Sequence, residues 1–423
     1  LHDALPIWLL IKMLNETTHI SISQASEELN VSLDTIRRWE KKGLIKAHRG
    51  ANGHRYFHAK ELAQLKAKTN GKGDVGYKVL KSRKKSPYRV IELFAGCGGL
   101  ALGLENAGLN CEMLVEIDKK AAETLKTNRP KWKVIADDIA KVDFTGIQAD
   151  VVAGGFPCQA FSYAGKRMGF EDTRGTLFFE FARTIKEVQP KVVLGENVKG
   201  LERHDGGRTI ATMLNVLDEL GYDAEYRILR SQYFDVPQKR ERLVIIGIRK
   251  DLKRPIAYPK EKNYTVSIGE ALRGVPKSEG QTYTPGKKKI MDLIPPGGYW
   301  RDLPDQIQRT FMGASYFLGG GKTGMARRLS WDEPSLTLTC NPAQKQTARC
   351  HPKETRPLQV REYARIQSFP DSWVFTGSTA SQYKQIGNAV PVNLGYHIGK
   401  ALISMLDDEY DSKALVVLER KLL

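Results

Sequence analysis

The sequence predicts an α/β fold, a Rossmann-like doubly wound sheet with a smaller irregular domain, preceded by a small helical module. Three observations predict it. From Arg89 onward, short apolar runs (Val90-Ile91-Glu92-Leu93-Phe94, Val151 to Ala153, Val192 to Leu194, Leu243 to Ile248) alternate with helical stretches such as Leu100 to Ala107, Leu177 to Glu187 and Thr209 to Leu220. Runs of that apolar character suit strands covered on both faces in a mostly parallel sheet, whose ligands bind at the strand carboxyl ends. Residues 255–355 break the alternation and are rich in Lys, Gly, Pro and aromatic residues, which marks a second, irregular domain; after Arg356 the helical pattern returns, to about Leu406. Residues 20–68 form a separate helical pattern, joined to the rest by a glycine-rich basic linker over 69–87.

Charge narrows the partner. The 423 residues carry 66 Lys+Arg against 48 Asp+Glu, a net +18, and such a surplus suits a polyanion, whose condensed counterions are released as phosphates are neutralised. Residues 1–87 hold 17 basic and 8 acidic side chains, net +9, so half of the surplus sits in about a fifth of the chain. A merely soluble basic protein is the bland alternative. Five cysteines (Cys97, Cys111, Cys158, Cys340, Cys350) show no CxxC pair and no metal-ligand spacing, and their odd number argues against a closed disulfide framework. No metal and a reducing cytoplasm are expected, and no membrane, since no apolar run reaches the roughly 18 residues of a span. Residues 1–19 are set apart as non-native or disordered, with Met13 as a candidate start.

In the N-terminal module, Ile22, Ala25 and Leu29 pattern a first helix; Asn30-Val31 turns; Ser32 caps a second helix carrying Leu33, Ile36 and Trp39, which Gly43 ends. The exposed face of that second helix carries Thr35, Arg37, Arg38 and Lys41, placed as a recognition helix needs. A basic hairpin with Arg55 and a helix from about Ala59 follow. The run Ser32 to Ile45 resembles the winged helix-turn-helix of the MerR and excisionase type; a protein-binding helical adaptor is the alternative. Arg37, Arg38 and Arg55 are the candidate DNA contacts.

In the α/β domain, Ala95-Gly96-Cys97-Gly98-Gly99 is a glycine turn after the first strand. Val115-Glu116-Ile117-Asp118 ends a second strand and Asp137-Asp138-Ile139 a third. A carboxylate such as Glu116, 20 positions past Gly96, reaches a ribose hydroxyl pair, and Asp138 suits an adenine amino group. This spacing leaves a dinucleotide and S-adenosylmethionine equally open, with plain helix caps as the bland reading of both acids. Downstream, Pro157 stiffens a strand-to-loop corner just before Cys158. Cys158 is either a small buried hydrophobe or a nucleophile. Glu196 and the pair Arg240 and Arg242 fall at other strand ends of the same sheet. A thiol, a carboxyl and guanidinium groups in one crevice suit substitution at C5 of a pyrimidine, where thiol addition at C6 makes C5 an enamine carbon. A nicotinamide enzyme needs no such set.

At these residues a resemblance appears. Phe94 to Gly99, Gly155-Phe156-Pro157-Cys158-Gln159, Glu196-Asn197-Val198, Gln238-Lys239-Arg240-Glu241-Arg242, Arg356 to Glu362 and Gly387-Asn388-Ala389-Val390-Pro391 resemble, in order, the motif set of DNA cytosine-5 methyltransferases of bacterial restriction-modification type, over residues 88–403. The resemblance implies Cys158 as nucleophile and Glu196 and Arg242 on the target cytosine, with Arg240 orienting the base or the cysteine. It implies S-adenosylmethionine as cofactor, held by Phe94, Ala95, Gly96, Gly98, Gly99, Glu116, Ile117, Asp138, Ile139, Pro157, Asn388 and Val390. A mobile loop with Lys166 and Arg167 would close over the DNA, and Thr337 in the insert resembles the family's threonine signature. The catalytic domain is then 88–254 with 356–423, and 255–355 is the target-recognition domain. The partners implied are double-stranded DNA, entered by base flipping, and a cognate restriction endonuclease acting on the same site without a stable complex. Phe156-Pro157 departs from the family's common Pro-Pro. An RNA cytosine-5 methyltransferase, or a DNA-binding regulator with an inactive methyltransferase domain, are the alternatives.

Overall fold

A computed structural model describes residues 19–29, 36, 37, 39, 40, 43, 45–50, 53, 55–59, 61, 62, 77–157, 176–319 and 324–419. The chain divides into two compact units, 1–76 and 77–423.

In the first unit, β1 (His19–Ser21) runs straight into α1 (Ile22–Leu29), and β2 (His48–Arg49) and β3 (Arg55–His58) complete an antiparallel sheet of order β1-β3-β2. Ser21 and Gln24 cap α1 reciprocally: the Gln24 N–H donates to Ser21 Oγ at 3.2 Å and the Ser21 N–H to Gln24 Oε1 at 2.9 Å. Ala25, Ile36, Ile45, Phe57 and Leu62 are its core. Residues 36, 37, 39 and 40 are helical, where the second helix is predicted, and Arg37 is exposed on it. Ser32, Leu33 and Arg38 lie outside the described residues. Arg55 faces Glu40 at 3.3 Å, so its charge is engaged within the module.

The second unit is built on a seven-stranded sheet. β4 (Arg89–Leu93), β5 (Asn110–Val115), β6 (Lys133–Ile135), β7 (Val151–Gly154) and β8 (Val192–Val198) are parallel, β11 (Glu241–Arg249) runs antiparallel beside β8, and β9 (Tyr222–Arg230), antiparallel to β11, forms the edge, in the order β6-β5-β4-β7-β8-β11-β9. Alternation along each strand sends side chains to opposite faces: Val151, Ala153, Val192 and Leu194 pack with one core, Val152 and Val193 with the other. Helices α2 (Gly99–Ala107) and α3 (Lys119–Asn128) contribute to the first core, α4 (Leu177–Val188) and α5 (Arg208–Glu219) to the second. Strand order reverses at β4, with β5 on one side and β7 on the other, which opens a crevice at their carboxyl ends.

The C-terminal segment closes this frame. Short elements β10 (Gln238–Lys239), β12 (Ala257–Pro259), α6 (Ile268–Leu272), α7 (Pro285–Asp292), α8 (Asp305–Met312) and β13 (Ser335–Leu336) lead to α9 (Val360–Ile366), α10 (Thr379–Asn388), α11 (Val392–Asp407) and β14 (Leu415–Val417). α11 packs on α2 backbone to backbone: a Cβ on Gly103 would sit 2.5 Å from the Val392 carbonyl oxygen and 2.7 Å from Gly395 Cα. Only small residues permit that approach, and it carries Asn388 and Val390 to the β4 end of the sheet.

Four details differ from the sequence reading. The third strand ends at Ile135, and Asp138 instead caps a short 3-10 turn, its Oδ1 accepting from the Ala140 N–H at 3.0 Å. β9 was not anticipated, because YDAEYRILR on an edge strand keeps its polar residues in water and hides the apolar signature. Residues 77–87 of the predicted linker are pinned to the catalytic unit, the Leu80 N–H donating to Asn393 Oδ1 at 2.9 Å and the Ser82 N–H to the Asn106 carbonyl at 2.7 Å. The predicted insert begins in the main core: Ile256, Ala257, Tyr258 and Ile268 belong to it, and β12 pairs with β14. Its own small core is Tyr283, Met291, Ile294, Trp300, Leu303, Met312, Met325, Ala326 and Cys350. Among the described residues no helix is long and apolar enough to cross a membrane.

Candidate active site

A pocket of about 910 Å³ occupies the crevice at the strand carboxyl ends. Its walls come from the turn after β4 (Phe94, Ala95, Gly96), the end of β5 (Glu116, Ile117), the β6 turn (Asp138, Ile139), the loop after β7 (Gly155, Phe156, Pro157), the end of β8 (Glu196) and the start of β11 (Arg242). Thr337, Asn388 and Val390 close it from the C-terminal side. Most residues singled out from the sequence therefore converge. Cys158, Lys166 and Arg167 lie outside the described residues; Pro157, immediately before Cys158, lines the pocket.

Glu196 and Arg242 are joined by sheet register. In the antiparallel β8 and β11 pair, Glu196 stands opposite Val244, so Arg242, two residues along, shares its face. Arg242 Nε meets Glu196 Oε1 at 2.8 Å, both side chains being 12% exposed. Burial pushes the Glu196 carboxyl up, against the pull of Arg242 and Arg240. It also pulls the Arg242 guanidinium down in spite of Glu196. Desolvation thus outweighs the attraction on both sides of the pair, and the carboxyl holds its proton more tightly than a free one. Gly155 leaves the room this carboxyl needs, since a Cβ there would lie 3.1 Å from Glu196 Oε2. Asn197 fixes the loop that leads to Cys158: its Nδ2 donates to the Phe156 carbonyl at 2.8 Å, and its Oδ1 accepts from the Val198 N–H at 2.8 Å.

Arg240 has a different task from Arg242. It is 2% exposed, and its guanidinium donates to the Leu338 carbonyl at 3.2 Å and the Gly387 carbonyl at 3.1 Å. It ties the segment after β13 to the end of α10. Thr337 Oγ1 donates to the Lys239 carbonyl at 2.9 Å, which holds the same segment from its other edge.

The β4 to β6 half of the pocket has the features of a nucleoside cradle. Phe94 is held at φ 56°, strained for a residue with a side chain. Ile117 lines the pocket with 67% of its surface exposed. Glu116 Oε2 accepts from the Gly96 N–H at 2.7 Å and Oε1 from the Asp118 N–H at 2.8 Å, so the carboxylate is braced. Lys384 Nζ bridges to Asp118 Oδ2 at 3.0 Å across the pocket wall. Gly99 is required by close approach, for a Cβ there would sit 2.1 Å from the Val390 carbonyl oxygen. Gly98 does not line the pocket; it turns the chain at φ 87° and faces Leu125 and Trp373.

Several pocket residues escaped the sequence reading, Lys384, Cys340 and Glu92 among them. Glu92 is 2% exposed, and its Oε2 has no hydrogen-bond partner among the described residues. Burial raises its carboxyl well above the usual range, aided by Glu116 and Glu196. A lone acid inside the apolar run Val90 to Leu93 was the available signal. Among the described residues no cluster of His, Cys, Asp and Glu is placed to hold a metal.

Comparison with known proteins fits this geometry. Residues 88–404 match the model of the C-5 cytosine-specific DNA methylase family, and residues 21–57 that of the MerR family of regulatory proteins. The chain is 53% identical to the type II methyltransferase M.Eco47II of Escherichia coli over 95% of its length and 98% of that protein. It is 52% identical to M.PspPI of a Psychrobacter strain, over 92% and 97% respectively. Among solved structures, a candidate DNA modification methyltransferase encoded within an E. coli prophage aligns with TM-score 0.56 at 26% identity, over 76% of this chain and 99% of that one.

Proposed function

The chain belongs to the C-5 cytosine-specific DNA methylase family and is a DNA cytosine-5 methyltransferase of restriction-modification type; from that premise we propose that it methylates a flipped cytosine within a specific duplex sequence through a covalent adduct with Cys158. The observation that carries this reading is the buried Glu196 and Arg242 pair in the pocket that Pro157 also lines. The Cys158 thiolate adds to C6 of the cytosine, forming an S–C6 bond. Glu196, whose hold on its proton is strengthened by burial, gives N3 a proton, so the pair displaced from the C5–C6 double bond moves into a C4–C5 double bond, the C4–N3 pair becomes the N3–H bond, and C5 becomes an enamine carbon. Arg242 holds O2. Arg240 positions the β13 segment rather than touching the base. Once C5 has been methylated, its proton leaves to a base, the S–C6 bond breaks, the thiolate is released and N3 returns its proton to Glu196.

S-adenosylmethionine, when bound, supplies the electrophilic methyl group. The residues present fit it. Phe94, Ile117 and Ile139 offer an apolar slot for a purine, Glu116 an acceptor for a ribose diol and Asp138 one for an amino group. Glu92 offers an unpaired buried carboxyl suited to an ammonium. Ala95, Gly96, Gly99, Asn388 and Val390 complete the walls.

The 255–355 insert reads sequence, Lys166 and Arg167 belong to a loop closing on DNA, and a restriction endonuclease shares the target site in the cytoplasm. The MerR-like module binds an operator and represses the enzyme's own gene. Footprinting with the full chain is expected to protect an upstream site that the Arg37→Ala variant leaves open. Uniform, salt-sensitive binding would instead reduce the module to added affinity. A duplex containing 5-fluorocytosine tests the central reaction: the native chain forms a denaturation-resistant adduct and Cys158→Ser does not. An adduct with Cys158→Ser would refute the nucleophile, and no adduct with the native chain would favour an inactive regulator.

A further inference from the structure

Cys340 is a thiol for which the reaction above has no use. Of the cysteines among the described residues, Cys97, Cys111 and Cys350 are buried and Cys340 is exposed. It lines the same pocket as Glu116, Ile117 and Val390, and its Sγ donates to Asn388 Oδ1 at 3.0 Å. Its backbone is clamped. The Tyr363 hydroxyl donates to the Thr339 carbonyl at 3.1 Å, Arg240 holds the Leu338 carbonyl, and a Cβ on Gly387 would lie only 2.8 Å from the Cys340 nitrogen. The backbone that carries the thiol is therefore held in place at the pocket wall. A second, independent feature marks this wall as one that meets a ligand. Arg240 is 2% exposed, lines the pocket, and its Nε has no partner among the described residues. Burial pushes the Cys340 thiol up, against the pull of Arg240 and Lys384 toward the thiolate.

We infer that Cys340 is a covalent modification site for uncharged, soft electrophiles, and that a bond formed there closes the cofactor pocket. This rests on the S-adenosylmethionine reading of that pocket. With a maleimide the balance is simple: the thiol proton goes to solvent, the sulfur forms an S–C bond to one alkene carbon, and the other alkene carbon takes a proton from water. Nothing leaves and nothing is oxidised. The adduct removes the proton donated to Asn388 and fills the wall beside it. The consequence is that inactivation by a thiol reagent does not by itself report on Cys158.

The test uses the full-length Cys158→Ser chain and N-ethylmaleimide, followed by intact mass and peptide mapping. One adduct is expected, on Cys340, and none in Cys158→Ser/Cys340→Ser. S-adenosylhomocysteine at 100 times its Kd should slow its formation on the order of 100-fold, as mutual exclusion requires. The modified chain should bind S-adenosylhomocysteine more than about tenfold more weakly by calorimetry. No adduct, or an adduct elsewhere, overturns the inference, as does a Cys340 adduct that leaves this affinity unchanged. If the unmodified Cys158→Ser chain fails to bind S-adenosylhomocysteine, the cofactor reading itself fails and the inference falls with it.

Discussion

Glu196→Gln keeps the shape of a side chain at the centre of the site and removes its ionisable proton. In the native chain Glu196 Oε1 lies 2.8 Å from Arg242 Nε, with both side chains 12% exposed. Stripping one partner from a buried ion pair costs about 3–5 kcal/mol when nothing replaces it. Here the amide oxygen still accepts from Arg242, and burial already drives the carboxyl toward neutrality. The loss shrinks to that of exchanging a charged for a neutral hydrogen bond, about 1 kcal/mol, and a melting shift of a few degrees at most. Catalysis responds on another scale, because an amide has no proton to give N3, and general acid catalysis contributes about 10²–10⁴-fold. Single-turnover methyl transfer to saturating duplex should fall by that factor while the melting point barely moves. The pH profile adds a sign: the acid form is needed, so the native rate declines as pH rises through the raised Glu196 pKa, and the variant lacks that limb. A variant within tenfold of native activity, or one whose lost activity tracks a collapse in melting temperature, would refute the acid role.

Glu92→Gln is expected to remove a pH dependence of stability. The carboxyl is raised by burial, so its contribution is fully present below the unfolded pKa of about 4.3 and is lost as pH rises through the folded pKa. Melting curves from pH 4 to pH 8 should flatten in the variant, and parallel curves would remove Glu92 as the cause. Gly99→Ala drives a methyl to 2.1 Å from the Val390 carbonyl oxygen; overpacking costs about 1–3 kcal/mol, and affinity for S-adenosylhomocysteine should drop with stability, as calorimetry would read. Asn197→Ala leaves the Phe156 carbonyl without its donor, a loss of about 1–3 kcal/mol expected to lower kcat more than it raises KM, because the loop ahead of Cys158 loses its anchor.

The sheet was legible because its strands are apolar on both faces and its helices amphipathic; the polar edge strand β9 was missed for the same reason reversed. Glu196 and Arg242 were legible as strand-end residues, but their pairing follows from the β8 and β11 register, which no spacing in the chain encodes. Arg240 and Arg242 look equivalent two residues apart. Only the structure shows that Arg240 falls in the break between β10 and β11 and turns to Leu338 and Gly387. Glu116 and Asp138 both accept backbone N–H groups and both line the pocket, but only Asp138 caps a turn. The Lys384 bridge to Asp118 spans 266 positions, and local pattern carries no trace of such a contact. Cys158, Lys166 and Arg167 stand on the sequence alone.

The pocket draws its walls from Glu92 at one end of the chain order to Val390 at the other, and this has a consequence during synthesis. A growing chain carries no complete site until its last helices leave the ribosome, whereas the whole of the first unit lies within residues 1–76. At ~5–20 residues per second the interval of roughly 300 residues lasts about 15–60 s. For that time each new molecule presents a finished N-terminal module and no methyltransferase.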